Sequence, residues 1–234
     1  MTELNKNSEI VNCKDIHKTF VDGSRKIEVL KGVNLEIKRG ELVAIVGTSG
    51  CGKTTLLNVL STLDRPTSGR VFIDGQELTN LNESQLTNIR LSKIGMVFQD
   101  FYLIPVLSAL ENIQVPLIFA NVSEKERLER SAELLDLVDM RDHADHRPNE
   151  LSGGQRQRIS IARAMANDPV IVFADEPTGN LDSVTGAKII ALFRGLVEKH
   201  NKSILMVTHD SEAASKADRV LVLRNGIVSQ RIEK

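Results

Sequence analysis

Hydrophobic positions change their period along the chain. Val33, Leu35 and Ile37 alternate with polar neighbours, which predicts a strand with one exposed face. Leu42 to Val46 is uninterrupted apolar sequence, the pattern of a strand buried on both faces. Two further apolar runs are broken by Asp74-Gly75 and Asn225-Gly226, dipeptides that favour two-residue hairpin turns. The middle of the chain reads as helix. Ser108-x-x-Glu111 and Ser123-x-x-Glu126 are capping boxes. The second opens a segment with Leu128, Ala132, Leu135 and Val138 on one predicted face. Strands return at 170–174 and 203–208, and the segment between them carries Ile189, Leu192, Phe193 and Leu196 at helical spacing. Strand, helix, strand in this order predicts a parallel sheet with crossover helices. The chain therefore reads as one α/β domain over 1–234, with a core of about 1–99 and 167–234 and a helical subdomain of about 100–166.

Composition narrows the classes. The chain has 234 residues, with 30 Lys+Arg against 31 Asp+Glu and a formal charge of −1. That balance argues against a dedicated nucleic-acid binder, which carries a positive excess. The two cysteines, Cys13 and Cys51, are far apart, so no disulfide framework is expected. The first ten residues are polar and lack the apolar stretch of a secretory signal. No apolar run approaches the roughly 18 residues that span a bilayer, so a membrane role is expected to come through a partner.

Three motifs carry chemistry. Gly47-Thr48-Ser49-Gly50-Cys51-Gly52-Lys53-Thr54 has the spacing of a phosphate loop between a buried strand and a helix predicted over 54–62. Its glycines let backbone N–H groups turn inward on phosphate oxygens, and the helix N-terminus adds positive potential. Lys53 can neutralise the β- and γ-phosphates, and Thr54 can offer its hydroxyl to Mg²⁺. The apolar strand at 170–174 ends in Asp175 and Glu176, where parallel sheets bind ligands. Asp175 can hold Mg²⁺ through water, and Glu176 is placed to deprotonate an attacking water. Leu151-Ser152-Gly153-Gly154-Gln155 precedes a helical pattern carrying Ile159, Ala162, Met165 and Ala166. Its exposed N–H groups and serine make a second anion site, in a chain with one phosphate loop.

Together these motifs resemble the nucleotide-binding subunit of an ATP-binding cassette transporter, over about residues 10–232. The resemblance implies a P-loop NTPase core of RecA-like type, with a mostly parallel sheet, an N-terminal antiparallel β region and the inserted helical subdomain. It implies Mg-dependent ATP hydrolysis with Glu176, His209, Lys53 and Gln99 in catalytic roles. Gly47, Thr48, Ser49, Gly50, Cys51, Gly52, Lys53, Thr54 and Thr55 would hold ATP. Phe20 would stack on adenine; the family more often has Tyr there, and Phe keeps the π-face without the hydroxyl. Thr54, Gln99 and Asp175 would hold Mg²⁺. Two copies would close head to tail, with Ser152, Gly153, Gly154, Gln155 and Asp182 reaching the partner's ATP. The loop Asn180-Leu181-Asp182 would cross that interface. The implied partners are an integral membrane permease and an ATP-induced second copy. The implied place is the cytoplasmic face of the cell membrane, held through the permease.

The segments from Gln99 to Pro105, Leu110 to Asn112 and Ala174 to Asp182 are similar to the lipoprotein-releasing, macrolide-export and antimicrobial-peptide-export branch. The cell-division cassette ATPase, without an established substrate, is the alternative. A DNA- or ribosome-acting cassette fits poorly, because this chain has one cassette and no basic excess. Other features have plain readings. His143 and His146, spaced H-x-x-H near Asp145, are expected to be a solvated loop rather than a metal site. Phe98, Phe101 and Tyr102 form either a core cluster or a groove for a helix of the membrane subunit. Arg156, Arg158 and Arg163 are expected to be helix surface and dimer charge. Cys51, inside the phosphate loop, is expected to be a thiol that reagents reach.

Overall fold

The computed structural model describes residues 8–230. Strands β1 (Glu9–Asp22) and β2 (Arg25–Lys38) form a long antiparallel hairpin. β1 pairs on its other edge with β4 (Ser68–Ile73), which turns into β5 (Gln76–Glu77). The four strands lie in the order β2-β1-β4-β5.

A second sheet has the order β10-β9-β3-β8-β7-β6. It comprises β3 (Leu42–Val46), β6 (Ile94–Val97), β7 (Ile171–Asp175), β8 (Ser203–Thr208), β9 (Arg219–Arg224) and β10 (Ile227–Gln230). All its pairs are parallel except β9 with β10. Both expected hairpin turns form: Asp74 and Gly75 have φ 50° and 75°, Asn225 and Gly226 have φ 53° and 81°. Positive φ at both central residues matches the right-handed strand twist. The register sets Val46 beside Thr208 and Asp175 beside Val207. The loops leaving β3, β7 and β8 therefore emerge at one edge of the sheet.

The helices are α1 (Lys53–Leu60), α2 (Glu83–Lys93), α3 (Ala109–Phe119), α4 (Glu124–Leu137), α5 (Gly153–Ala164), α6 (Ser183–His200) and α7 (Ser211–Ser215). Alternation along β3 divides the core in two. Val43 and Ile45 pack with Val33, Ile37, Leu56, Leu57 and Phe173, between the two sheets and α1. Leu42 and Ala44 pack with Val172, Met206, Ile159, Ile189 and Phe193, on the face covered by α5 and α6. Because both faces are covered, these strands need no polar alternation.

The predicted apolar face of α4 holds at Leu135 and Val138, which are buried, and is corrected at Leu128, which is 47% exposed; Ser131 and Leu134 are buried beside them. The spacing placed Leu128 one turn before the point where α4 meets the core. The helix after the phosphate loop ends at Leu60 rather than Thr62, which takes the left-handed conformation at φ 63°.

Candidate active site

The phosphate loop joins β3 to α1. Gly52 caps α1 at φ 103°, a conformation open to glycine alone without strain. Gly47 is required for space: a Cβ there would lie 2.5 Å from the Leu223 carbonyl and 2.6 Å from Cys51 Sγ. Thr48, Ser49, Gly50 and Thr54 are exposed, while Cys51, Gly52 and Thr55 are half-buried. The Cys51 side chain packs against the core beneath the loop, so the thiol is less open than its place in the loop suggests. Lys53 is buried, and its ammonium donates to the carbonyls of Gly47 (2.9 Å) and Thr48 (3.3 Å).

The ends of β7 and β8 converge on the same point. Thr54 Oγ1 donates to Asp175 Oδ1 at 3.2 Å. Burial pushes the Asp175 carboxyl above the ordinary carboxylate range, and the neighbouring Glu176 charge pushes it the same way; Thr54 and Lys53 offset part of this. Glu176 has φ 45°, and its N–H still pairs with the Val207 carbonyl of β8 at 2.9 Å. Its Oε1 stands 3.7 Å from Lys53 Nζ. Its Oε2 accepts from the backbone N–H of His209 (3.1 Å) and from His209 Nδ1 (2.9 Å). A carboxylate oxygen only accepts, so the Nδ1 proton is fixed. Lys53, Thr54, Asp175, Glu176 and His209 thus form one cluster.

Gln99 follows β6 and is held by Asn180. Its Nε2 donates to Asn180 Oδ1 (3.1 Å), while Asn180 Nδ2 donates to the Gln99 carbonyl (3.1 Å) and to Asp100 Oδ1 (2.9 Å). Phe20 lies near the tip of the β1–β2 hairpin, 44% exposed, with Lys18 Nζ 5.0 Å from its ring centroid.

The signature segment forms a separate cluster. Ser152 caps α5 and closes a capping box with Gln155. Gly153 and Gly154 pack against the start of α6: added Cβ atoms would lie 3.2 Å from Leu181 Cδ2 and 2.4 Å from Thr185 Cγ2. Asp182 caps α6 by accepting from the Thr185 N–H at 3.0 Å, and that contact holds its carboxyl below the usual range. Among the described residues no hydrogen bond joins Ser152–Gln155 to the phosphate loop.

Several residues have roles that sequence reading missed. Gln157 is fully buried and donates to the carbonyls of Pro177 (2.6 Å) and Phe98 (3.4 Å). It braces α5 against the segments that carry Gln99 and Glu176. Of the three arginines expected as surface charge, Arg158 and Arg163 are corrected. Arg158 donates to the Val138 carbonyl at 2.6 Å, and Arg163 forks onto the carbonyls of Phe101 (2.7 Å) and Tyr102. The aromatic trio is not core: Tyr102 is 63% exposed, with its ring centroid 5.1 Å from that of Phe98. Phe98 and Tyr102 line a groove of about 370 Å³ with Met96, Pro116 and Arg163. His143 is half-buried and hydrogen-bonded, and among the described residues no cluster of three or more His, Cys, Asp or Glu could hold a metal ion.

Known proteins match most of the chain. The ABC transporter family profile matches residues 30–179. The ABC transporter ATP-binding protein MJ0796 of Methanocaldococcus jannaschii is 48% identical over 229 residues, covering 96% of this chain and 97% of that protein. A solved dimeric structure of MJ0796, in a post-hydrolysis state bound to ADP and Pi, superposes with a TM-score of 0.86 at 45% identity, over 96% of this chain and 100% of that one. The macrolide export ATP-binding/permease protein MacB of Syntrophobacter fumaroxidans is 45% identical over 94% of this chain, which spans 31% of MacB's length. The fold and the phosphate-loop cluster define a nucleotide-hydrolysing cassette. The chain belongs to the ATP-binding cassette transporter family, as an ATP-binding ATPase. Among the described residues no helix is long and apolar enough to cross a membrane.

Proposed function

We propose that this chain is the ATP-hydrolysing subunit of an export-type transporter, acting as a head-to-tail homodimer beneath an integral membrane permease on the cytoplasmic face. The observation that carries the reading is the convergence of Lys53 and Glu176, 3.7 Å apart, with His209 holding the glutamate. The phosphate-binding cation and the general base then meet at one end of the triphosphate.

In this reading residues 47–55 cradle ATP, and Phe20 offers its exposed face to adenine. Lys53 leaves its loop carbonyls for the β- and γ-phosphates. Glu176 orients and deprotonates the attacking water, and His209 positions both the glutamate and the γ-phosphate. Ser152, Gly153, Gly154, Gln155 and Asp182 meet the partner's ATP, stabilising charge on the γ-phosphate. The helical subdomain, about 100–166, carries that signature segment, and the aromatic groove that takes a permease helix lies where this subdomain meets the β6 segment of the core.

Mg²⁺ fits the donor set. Thr54 and Asp175 supply a hydroxyl and a carboxylate already in contact, and Gln99 supplies an amide oxygen, all hard ligands. The half-buried carboxyl of Asp175 beside Glu176 is where a divalent cation would offset desolvation and like charge. When bound, the ion neutralises phosphate charge.

The chain's match to MacB over its cassette supports the export branch. The test is Glu176→Gln. ATP hydrolysis is expected to fall about 10²–10⁴-fold, the usual effect of removing a general base, while an ATP-dependent dimer accumulates in light scattering. Near-normal turnover would refute the assignment.

A further inference from the structure

Gln155 makes one contact beyond the capping box. The Ser152 N–H donates to Gln155 Oε1 at 2.8 Å, which leaves the amide NH₂ pointing the other way. That Nε2 lies 2.8 Å from His143 Nε2. An amide NH₂ only donates, so the ring nitrogen facing it carries a lone pair. The contact therefore uses His143 Nε2 as the acceptor, which puts the tautomeric proton on Nδ1. Turning the amide over does not relieve this requirement, because its NH₂ would then face the Ser152 N–H, donor against donor.

The histidine is well anchored. It ends the 3₁₀ turn Arg141–His143, and its N–H donates to the carbonyl of buried Met140 at 3.0 Å. The following residues are tied to the start of α3, Leu110 N–H to the Ala144 carbonyl (2.9 Å) and Ala109 N–H to the His146 carbonyl (2.8 Å). The His146 ring lies 5.1 Å away, centroid to centroid. A fixed acceptor thus faces a side chain that belongs to the first turn of α5.

We infer that His143 is a positioning residue for the signature segment: its Nε2 lone pair fixes the Gln155 amide and, through it, Ser152 and the first turn of α5 in the orientation that meets the partner's ATP. This rests on the reading of Ser152–Gln155 as the contact in trans. His143 itself touches no nucleotide in this scheme.

The experiment measures ATP-driven dimerisation by light scattering in the Glu176→Gln background, with ADP binding to the monomer measured by calorimetry. His143→Leu is expected to raise the ATP concentration for half-dimerisation about threefold to tenfold, the net worth of one hydrogen bond, with ADP binding unchanged. His143→Gln is expected to restore dimerisation, because its amide oxygen can accept near the Nε2 position. Should His143→Leu fail to fold, His143→Lys, which is polar and donor-only, answers the same question. If the acceptor-less variants dimerise normally while Ser152→Ala does not, the inference is wrong and the trans reading stands. If Ser152→Ala also dimerises normally, the trans reading fails and takes the inference with it. A His143→Gln variant as poor as His143→Leu overturns the acceptor role.

Discussion

Lys53 Nζ stands 3.7 Å from Glu176 Oε1, with both side chains largely withdrawn from solvent. The phosphate-binding cation and the proposed base neutralise each other across the site. On the proposed function, a triphosphate would draw Lys53 away and release Glu176 toward water. The two groups would then exchange partners on binding, each bearing on the other's affinity.

A first expectation is that Glu176→Gln binds ATP more tightly than the parent. The variant removes a carboxylate that competes with phosphate for Lys53. The pair is partly screened, so the gain is about twofold to fivefold, within the range of weak ion pairs. Calorimetric titration of ATP checks it, and weaker binding by the variant would contradict the exchange.

Gly154 tests whether packing inside one chain, as well as ligand contact, requires glycine. Gly154→Ala favours helix by about 1 kcal/mol, yet its Cβ would lie 2.4 Å from Thr185 Cγ2. Overpacking of that kind destabilises by about 1–3 kcal/mol. Thr185→Ser deletes the offending methyl. In that background Gly154→Ala is expected to become neutral or stabilising in urea unfolding. If the loss is the same in both backgrounds, packing on Thr185 is not its cause.

Arg163 holds the chain where Phe101 and Tyr102 both have positive φ, 62° and 43°. Bulky residues rarely adopt that conformation, and the forked guanidinium keeps the two carbonyls in place. Arg163→Ala is expected to lower stability by about 1.5–3 kcal/mol, the range for hydrogen bonds to charged groups. Arg163→Lys recovers only part, because an ammonium lacks the fork. Denaturation midpoints of the three proteins, with protease cleavage near Tyr102 as a second readout, decide the matter.

Asp74 gives a pH dependence. Lys93 and then Arg39 hold its carboxyl below the ordinary value of 3.8. A folded-state value below the unfolded one stabilises the protein above about pH 4 and loses that stabilisation as the pH falls further. Asn tolerates the left-handed backbone at this turn, so Asp74→Asn isolates the charge. The side chain is 34% exposed, which limits the difference at pH 7 to about 0.5–1 kcal/mol. That difference is expected to vanish by about pH 2, in urea unfolding measured across the range; a constant difference would rule out linkage.

Much was legible in the sequence because it is local. The phosphate loop needs only glycine, lysine and threonine at fixed spacing after a buried strand, and β3 with α1 supplies that context. Capping boxes at Ser108 and Ser123 act within four residues, so α3 and α4 begin where the spacing predicts. Turns at Asp74-Gly75 and Asn225-Gly226 follow from backbone sterics alone. Tertiary structure decided what joins distant segments. Leu128 is apolar and helically spaced, but whether a face is buried depends on where the neighbouring element ends. Arg158 and Arg163 read as surface charge because a cation on a helix looks alike whether it faces water or a carbonyl 20 or 61 residues away. His143 and Gln155 lie 12 residues apart with no pattern linking them; only the turn before α5 brings the ring nitrogen to the amide. The hydrogen bonds that orient the site come from chain folding over such separations, and composition and period carry no record of them.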